Sequence, residues 1–192
     1  MYRFWETITS RVFDCLEPQD IVEIGSEHAH NTRKLLAYCK EHGGRVHVIE
    51  PLPKFDVDEL KQQYGDQFVL YQGLSLNALS QVPRMDLVLI DGDHNWYTVY
   101  NKLTLIERLC DERDEPFPFV LLHDMAWPYA RRDLYYDPET IPEAFRQAYK
   151  KGGMVPGVAE LQEGKGLNRN MNNAVYENTP HNGVRTAVED FV

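Results

Sequence analysis

Carboxylate and imidazole side chains gather in two short segments of the sequence, each directly after an apolar run. Asp91, Asp93 and His94 follow the first run, and His123 and Asp124 follow the second. Carboxylate oxygens with a neutral imidazole suit a divalent cation, with Mg²⁺ favoured when most ligands are oxygens. An imidazole is also well suited to accept a proton near neutral pH. These segments predict metal-assisted chemistry on a group that loses a proton, and they fit a metallohydrolase as well.

A second set of polar residues lies nearer the amino terminus, at Glu23, Gly25, Ser26 and Glu50. A glycine after a strand lets the backbone approach a ligand, and the helix that follows offers unpaired N–H groups. A carboxylate after the next strand can accept hydrogen bonds from both hydroxyls of a ribose. Separately these residues fit an ordinary turn and a solvated side chain, but together they favour an adenosine ligand. A dinucleotide is disfavoured, because no Gly-x-Gly-x-x-Gly is present and Glu27 would repel a pyrophosphate.

The elements that must position these residues alternate between strands and helices. Short β-type runs cover residues 20–24, 45–49, 67–71, 85–90 and 119–122. Helical patterns cover residues 31–38, 56–64 and 95–110. Asn31 or Thr32 is expected to cap the first of them, and Gly43 and Gly44 stop it. This order predicts an α/β fold with a mostly parallel, Rossmann-like sheet and helices on both faces. In such sheets ligands bind beyond the carboxyl ends of the strands, where both sets of polar residues fall.

The character of the sequence changes after residue 124. Prolines punctuate a loop that leads to a predicted short helix near 142–151, and glycines then mark an irregular segment. The glycine-containing stretch 164–170 fits a lid over a bound substrate. We expect a single domain over 1–192, with a core at 15–130, an acceptor and lid region at 125–181 and a carboxyl-terminal helix at 182–192.

Composition limits the partners of the chain. A formal net charge of −10 over 192 residues repels phosphate backbones, so a small molecule or a glycan is a better substrate than nucleic acid. No apolar run approaches the roughly 18 residues of a membrane span, and no secretory signal is evident, so we expect no membrane span and a cytoplasmic protein. The three cysteines, Cys15, Cys39 and Cys110, fit neither a disulfide framework nor a zinc motif and are predicted to be core thiols.

The residues that follow the first two predicted strands resemble those of the class I methyltransferases, which use S-adenosylmethionine as methyl donor. Members carry an acidic residue and a Gly-rich turn after the first strand and an acidic residue after the second. The resemblance implies that Glu23, Gly25 and Ser26 border the methionine part of the cofactor and that Glu50 holds the ribose. It places the turn Gly73-Leu74-Ser75 beside the adenine. The sequence departs from the pattern in keeping only one of the usual glycines after the first strand.

The Asp91 segment and the Asp124 segment resemble metal-dependent small-molecule O-methyltransferases, a subgroup that includes macrocin and catechol O-methyltransferases and cephalosporin-hydroxylase-like proteins. In that pattern Asp91 and Asp124 bind the metal, and Asp91 also counts among the catalytic and cofactor-binding residues. A polar ligand follows the second carboxylate in catechol-type enzymes, where this chain has Met125. The third ligand is therefore open between His123 and Asp93, and we favour His123.

The general base of the catechol-type enzymes lies three residues after the first acidic ligand, which corresponds to His94. The metal would lower the pKa of the substrate hydroxyl, and the imidazole would accept its proton. A structural role for His94 is the alternative. Asp93 is as well suited to cap the helix that begins near Asn95 as to act in catalysis.

Aromatic and guanidinium side chains follow the fifth predicted strand, in residues 127–136. Such faces and donors often hold sugars, although a packed loop with two paired arginines, Arg131 and Arg132, explains the composition equally well. The run resembles a subset of bacterial methyltransferases associated with polysaccharide or glycoconjugate biosynthesis, which implies a glycan hydroxyl as acceptor.

The sequence thus predicts an S-adenosylmethionine-dependent O-methyltransferase that acts on a sugar, glycan or other small hydroxylated molecule. The alternatives are a non-catalytic cofactor-binding domain of a larger glycan-assembly protein and a metallohydrolase. The terminal strands usual in class I methyltransferases are not recognisable after residue 182. An incomplete sheet exposes an edge, so we expect a homodimer or a longer polypeptide.

Overall fold

The computed structural model describes residues 1–192, which form two compact units. The first unit comprises Met1–Gly92 and Ile106–His123, and the second comprises Asp93–Leu105 and Asp124–Val192. The expectation of a single domain over 1–192 stays a prediction. None of the helices combines the length and the apolar character that crossing a membrane requires.

A five-stranded parallel sheet forms the centre of the first unit. Its strands are β1 Asp20–Ile24, β2 Arg45–Ile49, β3 Phe68–Tyr71, β4 Leu87–Ile90 and β5 Phe119–Leu122. The order is β3-β2-β1-β4-β5, and every neighbouring pair is parallel. The predicted α/β, Rossmann-like sheet is confirmed, with three strands at the predicted bounds. The strand β4 begins two residues late, where the Asp86 carboxylate accepts hydrogen bonds from the N–H groups of Gln19 and Asp20.

The chain folds into these strands because most of their side chains are apolar, on both faces. The last four residues of β1 and of β2, and all of β4, are buried, as expected for parallel strands covered by helices on both sides. One part of the core packs these strands against helices of the first unit. Its fully buried members include Phe13, Ile21, Leu35, Leu36, Cys39, Val46, Val48, Leu60, Leu87 and Leu89. Contrary to the prediction of core thiols, Cys15 is exposed, whereas Cys39 and Cys110 are buried.

The helices predicted at residues 31–38, 56–64 and 95–110 are present, and two further short helices up to residue 113, Ser10–Leu16 and Ser75–Ala78, were not predicted. The α-helices are α1 Ser10–Leu16, α2 His30–His42, α3 Val57–Tyr64, α4 Ser75–Ala78, α5 Trp96–Arg113 and α6 Val184–Phe191. Gly43 ends α2 with a φ of 84°, a conformation that glycine adopts without strain. No side chain caps the start of α2, although Asn31 or Thr32 was expected to do so. Asp56 caps α3 by accepting a hydrogen bond from the N–H of Glu59 at 2.9 Å.

The second unit contains two small sheets that the sequence did not predict. Its strands are β6 Leu134–Tyr135, β7 Tyr149–Lys151, β8 Gly153–Val155, β9 Val158–Gln162 and β10 Asn172–Ala174. They form a three-stranded sheet, β6-β10-β7, and a hairpin, β8-β9. The predicted helix near 142–151 is wrong, because only Glu143–Phe145 forms a 3₁₀ turn before β7 begins. The predicted irregular segment is wrong in part, since it contains the hairpin.

A buried carboxylate, Asp133, organises the second unit. It accepts hydrogen bonds from the N–H of Trp96 at 2.7 Å, the N–H of Gly183 at 2.6 Å and the hydroxyl of Tyr135 at 2.8 Å. Burial raises the pKa of Asp133 to about 6. The three hydrogen bonds lower the pKa, but by less than burial raises it. One side chain therefore holds the first turn of α5 and the start of α6.

The strand order creates a switch point in the first unit. The chain runs outward from β1 through β2 to β3 and then returns to β4, which lies on the other side of β1. The connections after β1 and β4 consequently diverge at adjacent positions of the carboxyl edge. Ligands of open α/β sheets bind at such a point.

Candidate active site

Gly25 directly follows β1 at the switch point and has a φ of 88°, a conformation that favours glycine. A Cβ atom at this position would lie 2.6 Å from the carbonyl oxygen of Asp91 and 2.8 Å from the nitrogen of Gly92. The N–H of Asp91 in turn donates to the carbonyl oxygen of Ile24 at 2.9 Å. Gly25 is therefore required by the close approach of the loop after β4, a reason that the sequence alone did not suggest.

Glu50 follows β2 and holds the turn that begins at Gly25. Its Oε2 atom accepts hydrogen bonds from the N–H groups of Ser26 and Glu27, each at 3.0 Å, and its Oε1 atom accepts one from Leu52 at 3.0 Å. The side chain is buried rather than solvated. The structure thus brings Glu50 together with Gly25 and Ser26, as the shared edge of β1 and β2 predicts.

Two buried serine hydroxyls in the first unit have no hydrogen-bond partner. They belong to Ser26, after β1, and Ser75, which opens α4. An unsatisfied buried hydroxyl is costly, so such groups commonly mark places where a ligand or water binds. The rest of the predicted adenine turn, Gly73 and Leu74, precedes α4, and Leu74 is exposed.

Glu23 lies within β1, and the residue is only 2% exposed. Asn31 donates to its Oε1 atom at 2.9 Å and Thr32 to its Oε2 atom at 2.5 Å, both from the first turn of α2. Burial raises the pKa of Glu23 to about 7; the two hydrogen bonds lower it, and the Asp91 carboxylate raises it further. Asn31 and Thr32 are therefore functional candidates, whereas the sequence suggested only a role in helix capping. Two adjacent polar residues at the start of a helix that covers a buried strand could have indicated contact with Glu23.

Asp91 and His123 form a pair at the ends of β4 and β5. The Asp91 Oδ1 atom lies 3.2 Å from the His123 Nδ1 atom, and the N–H of His123 donates to the carbonyl oxygen of Ile90 at 2.9 Å. The amino group of Met1 contacts the other oxygen of Asp91. Both side chains are partly accessible, and they place a carboxylate oxygen next to an imidazole nitrogen in the first unit.

His94 and Asp124 form a second pair, within the second unit. The His94 Nδ1 atom lies 2.6 Å from the Asp124 Oδ2 atom, and both side chains are largely buried. The His94 ring stacks against Tyr129, with centroids 5.5 Å apart, and meets the edge of Tyr136 at 5.9 Å. A carboxylate at Nδ1 favours the tautomer that keeps the proton there, which leaves Nε2 as the acceptor nitrogen. The pair has the arrangement of an oriented general base.

Asp93 does not cap α5. The cap is Asn95, whose Oδ1 atom accepts a hydrogen bond from the N–H of Thr98 at 2.8 Å. Asp93 instead lies 3.5 Å from the Nζ atom of Lys102, an ammonium group with 0% exposure. Burial lowers the pKa of Lys102, and Asp93 opposes that change. The sequence reasoning missed Lys102, although it stands on the helical face of Val99 and Ile106.

The arginines of the predicted acceptor region are engaged within the second unit. Arg132 is buried and donates to the carbonyl oxygens of Ala159, Ala174 and Val175. Arg131 donates to Glu189 at 2.8 Å. Two aromatic side chains of the same run, Trp127 and Tyr136, are exposed. The structure thus favours aromatic faces over guanidinium groups as the accessible feature of this segment.

Comparison with known proteins finds similarity both by sequence and by fold. A family model described as a methyltransferase domain matches residues 22–125. A short-chain dehydrogenase/reductase from Saccharomyces cerevisiae has 11% sequence identity and a TM-score of 0.43, over 58% of this chain and 56% of that one. The chain thus spans a little over half the length of that solved structure. No curated protein matches it.

Proposed function

This chain belongs to the methyltransferase domain family, and we propose that it is an S-adenosylmethionine-dependent O-methyltransferase that uses a divalent metal ion and methylates a hydroxyl of a glycan or other small molecule. The observation that carries the proposal is the contact of 2.6 Å between His94 Nδ1 and Asp124 Oδ2. It gives the chain an oriented proton acceptor at the segment that follows β4. Methyl transfer to a hydroxyl needs an oxygen that has been freed of its proton and held in line with the donor.

The residues of the switch point fit the cofactor. Glu50 is buried and already oriented by three N–H groups, and the Ser26 hydroxyl has no partner within the protein. We assign Glu23, Gly25 and Ser26 to the methionine part, Glu50 to the ribose and the 73–75 turn to the adenine. S-adenosylmethionine would supply the electrophilic methyl group. The chain's own part is to hold the acceptor oxygen and to exclude water.

The donor set also fits a hard divalent cation such as Mg²⁺. Asp91 and His123 present an oxygen and a nitrogen 3.2 Å apart, and Asp124 is the next residue in the chain. We propose these three residues as the protein ligands. The metal would lower the pKa of the acceptor hydroxyl, so that His94 has only to receive the released proton.

His94 acts in this proposal through its Nε2 atom. Asp124 keeps the proton at Nδ1 and stabilises the imidazolium that forms when Nε2 takes a second proton. The ring is held between Tyr129 and Tyr136, so it is presented in one orientation. Because Tyr136 is exposed and touches His94 by its edge, a sugar that packs on Tyr136 would bring a hydroxyl near the base.

Isothermal calorimetry and a transfer assay test the proposal. We expect the wild-type protein to bind S-adenosylhomocysteine and Glu50→Ala to lose that binding. With labelled S-adenosylmethionine and a panel of monosaccharide glycosides and catechol, chelation should stop transfer and added Mg²⁺ should restore it. His94→Gln should lower kcat by roughly 100-fold or more without weakening cofactor binding.

The matched control is His42→Gln, which replaces an exposed imidazole on α2 and should behave as the wild type. Failure of the wild-type protein to bind S-adenosylhomocysteine would overturn the assignment of the cofactor. Transfer that persists in EDTA, or in Asp91→Asn, would overturn the metal site. Hydrolysis of p-nitrophenyl phosphate without any cofactor would instead favour a metallohydrolase.

A further inference from the structure

Tyr129 is buried against His94 and is fixed at its far end. Its side chain is 3% exposed, and its ring lies nearly parallel to the imidazole, at an interplanar angle of 20°. The phenol oxygen accepts a hydrogen bond from the Asn168 Nδ2 atom at 2.6 Å and donates one to the Asn173 Oδ1 atom at 3.3 Å. One end of this side chain therefore touches the proposed base, and the other end is held by two amides.

The two amides are themselves anchored. Asn173 lies in β10 with 0% exposure, and its Nδ2 atom donates to the carbonyl oxygens of Gly152 at 2.8 Å and of Asn168 at 3.0 Å. Asn168 belongs to the 164–170 loop and has a φ of 53°, which asparagine tolerates better than most residues. The position of the phenol oxygen is thus set by a buried strand residue and by a loop residue.

We propose that Tyr129 is a positioning residue that keeps the His94 ring turned with Nδ1 toward Asp124, and that Asn168 links the 164–170 loop to that ring. The physical reason is that the torsion of an imidazole about its second side-chain bond is broad, so a single hydrogen bond leaves the ring free to rock. A stacked aromatic face restricts that motion. The importance of the orientation for turnover rests on the proposed function, whereas the orientation itself does not.

Tyr136 does not duplicate this restraint. It meets His94 by its edge, at an interplanar angle of 62°, and 56% of its surface is exposed. Tyr129 is the buried partner, and its hydroxyl lies in the hydrogen-bonded network of the second unit. Movement of the 164–170 loop is therefore expected to change the orientation of the His94 ring, because Asn168 bonds to Tyr129 and Tyr129 stacks on that ring.

Three variants separate the parts of this arrangement. Tyr129→Leu removes the stacked ring, and Tyr129→Phe keeps the ring but removes its hydrogen bonds. Asn168→Gly removes the amide from the loop side and preserves the left-handed backbone. Tyr176→Leu, at an exposed tyrosine of the same unit, is the control. Tyr129→Leu removes a buried ring. If that variant does not fold, Tyr129→Phe and Asn168→Gly still test the proposal.

The readout is nitrogen-15 NMR of histidine-labelled protein at a single alkaline pH, with the His94 signals assigned by their loss in His94→Gln. We expect the wild type and Tyr176→Leu to show one protonated Nδ1 and a slowly exchanging Nδ1–H signal for His94. Tyr129→Leu should lose that signal to exchange. Tyr129→Phe and Asn168→Gly should broaden it, while the signals of His42 and His47 stay in place.

Transfer kinetics complete the test. In Tyr129→Phe and Asn168→Gly we expect kcat to fall about 3- to 10-fold with the KM for S-adenosylmethionine unchanged. A His94 signal that is unchanged in all folded variants would overturn the proposal, as would equal changes at every histidine. Altered His94 signals with unchanged kcat would overturn the role in turnover. Absence of transfer by the wild type would contradict the proposed function and leave the NMR result intact.

Discussion

Replacement of Glu23 by glutamine should make the protein more stable at alkaline pH. The carboxylate lies inside the first unit, where burial raises its pKa from 4.5 to about 7 and neither neighbouring hydrogen-bond donor carries a charge. Between pH 4.5 and about 7, the folded protein consequently keeps a proton on Glu23 that the unfolded chain has released. The stability that Glu23 contributes is complete below pH 4.5 and is lost as the pH rises through 7.

The size of the effect follows from the two pKa values. A group that titrates at 4.5 when unfolded and at about 7 when folded changes the free energy of unfolding by about 3 kcal/mol between acid and alkaline pH. Glutamine has nearly the same shape and cannot ionise. Its amide oxygen can accept from Asn31, and its NH₂ group can donate to the Thr32 hydroxyl. We therefore expect Glu23→Gln to match the wild type near pH 4.5 and to exceed it by up to about 3 kcal/mol at pH 8.5.

Urea denaturation followed by far-ultraviolet circular dichroism, at intervals from pH 4.5 to 9, measures this difference. Glu41→Gln removes a carboxylate from an exposed position of α2 and serves as the control, which should follow the wild-type curve. If the Glu23→Gln and wild-type curves stay parallel over the whole range, Glu23 does not titrate as a buried acid. The reasoning from burial would then be refuted.

Three further predictions follow from contacts in the two units. Gly25→Ala places a Cβ atom 2.6 Å from the Asp91 carbonyl oxygen, so the free energy of unfolding in urea should fall by about 3 kcal/mol and S-adenosylhomocysteine binding should weaken. An unchanged free energy of unfolding would contradict the contact. Asp133→Ala leaves three buried donors without their acceptor and should cost about 3 kcal/mol or more by the same measurement, with Asp133→Asn as a milder comparison. In the native protein one thiol, the exposed Cys15, should react with DTNB, and unfolding should release all three; early reaction of Cys39, whose pKa burial raises to about 12, would contradict its burial.

The sequence predicted the parallel sheet because its strands carry a direct signal. The strands β1, β2 and β4 are short, mostly apolar runs that are followed directly by Gly25, Glu50 and Asp91, and their burial on both faces leaves no alternation to obscure the pattern. The same reasoning located Glu50 beside Gly25, since neighbouring strands end at one edge. The cofactor, the metal, the glycan acceptor and the homodimer or longer polypeptide stay predictions.

Contacts between distant parts of the chain could not be predicted in this way. Asp133 and Gly183 are 50 residues apart, and Tyr129 and Asn168 are 39 apart, so no local pattern pairs them. The helix predicted near 142–151 failed for a related reason. Apolar spacing in so short a segment fits a helix or a strand, and pairing of Tyr149 with Ala174 in β10 selects the strand.

The position of Asp133 has a consequence for how the second unit opens. The Asp133 carboxylate accepts hydrogen bonds from the first N–H group of α5 and from the N–H group of Gly183 at the start of α6. If one helix start unfolds, the carboxylate that the other helix start uses as its acceptor becomes exposed to water. The two segments should behave as one cooperative unit of local unfolding. In hydrogen exchange, the amides of Trp96 and Gly183 are then expected to share one opening free energy, although α6 is short and lies at the end of the chain.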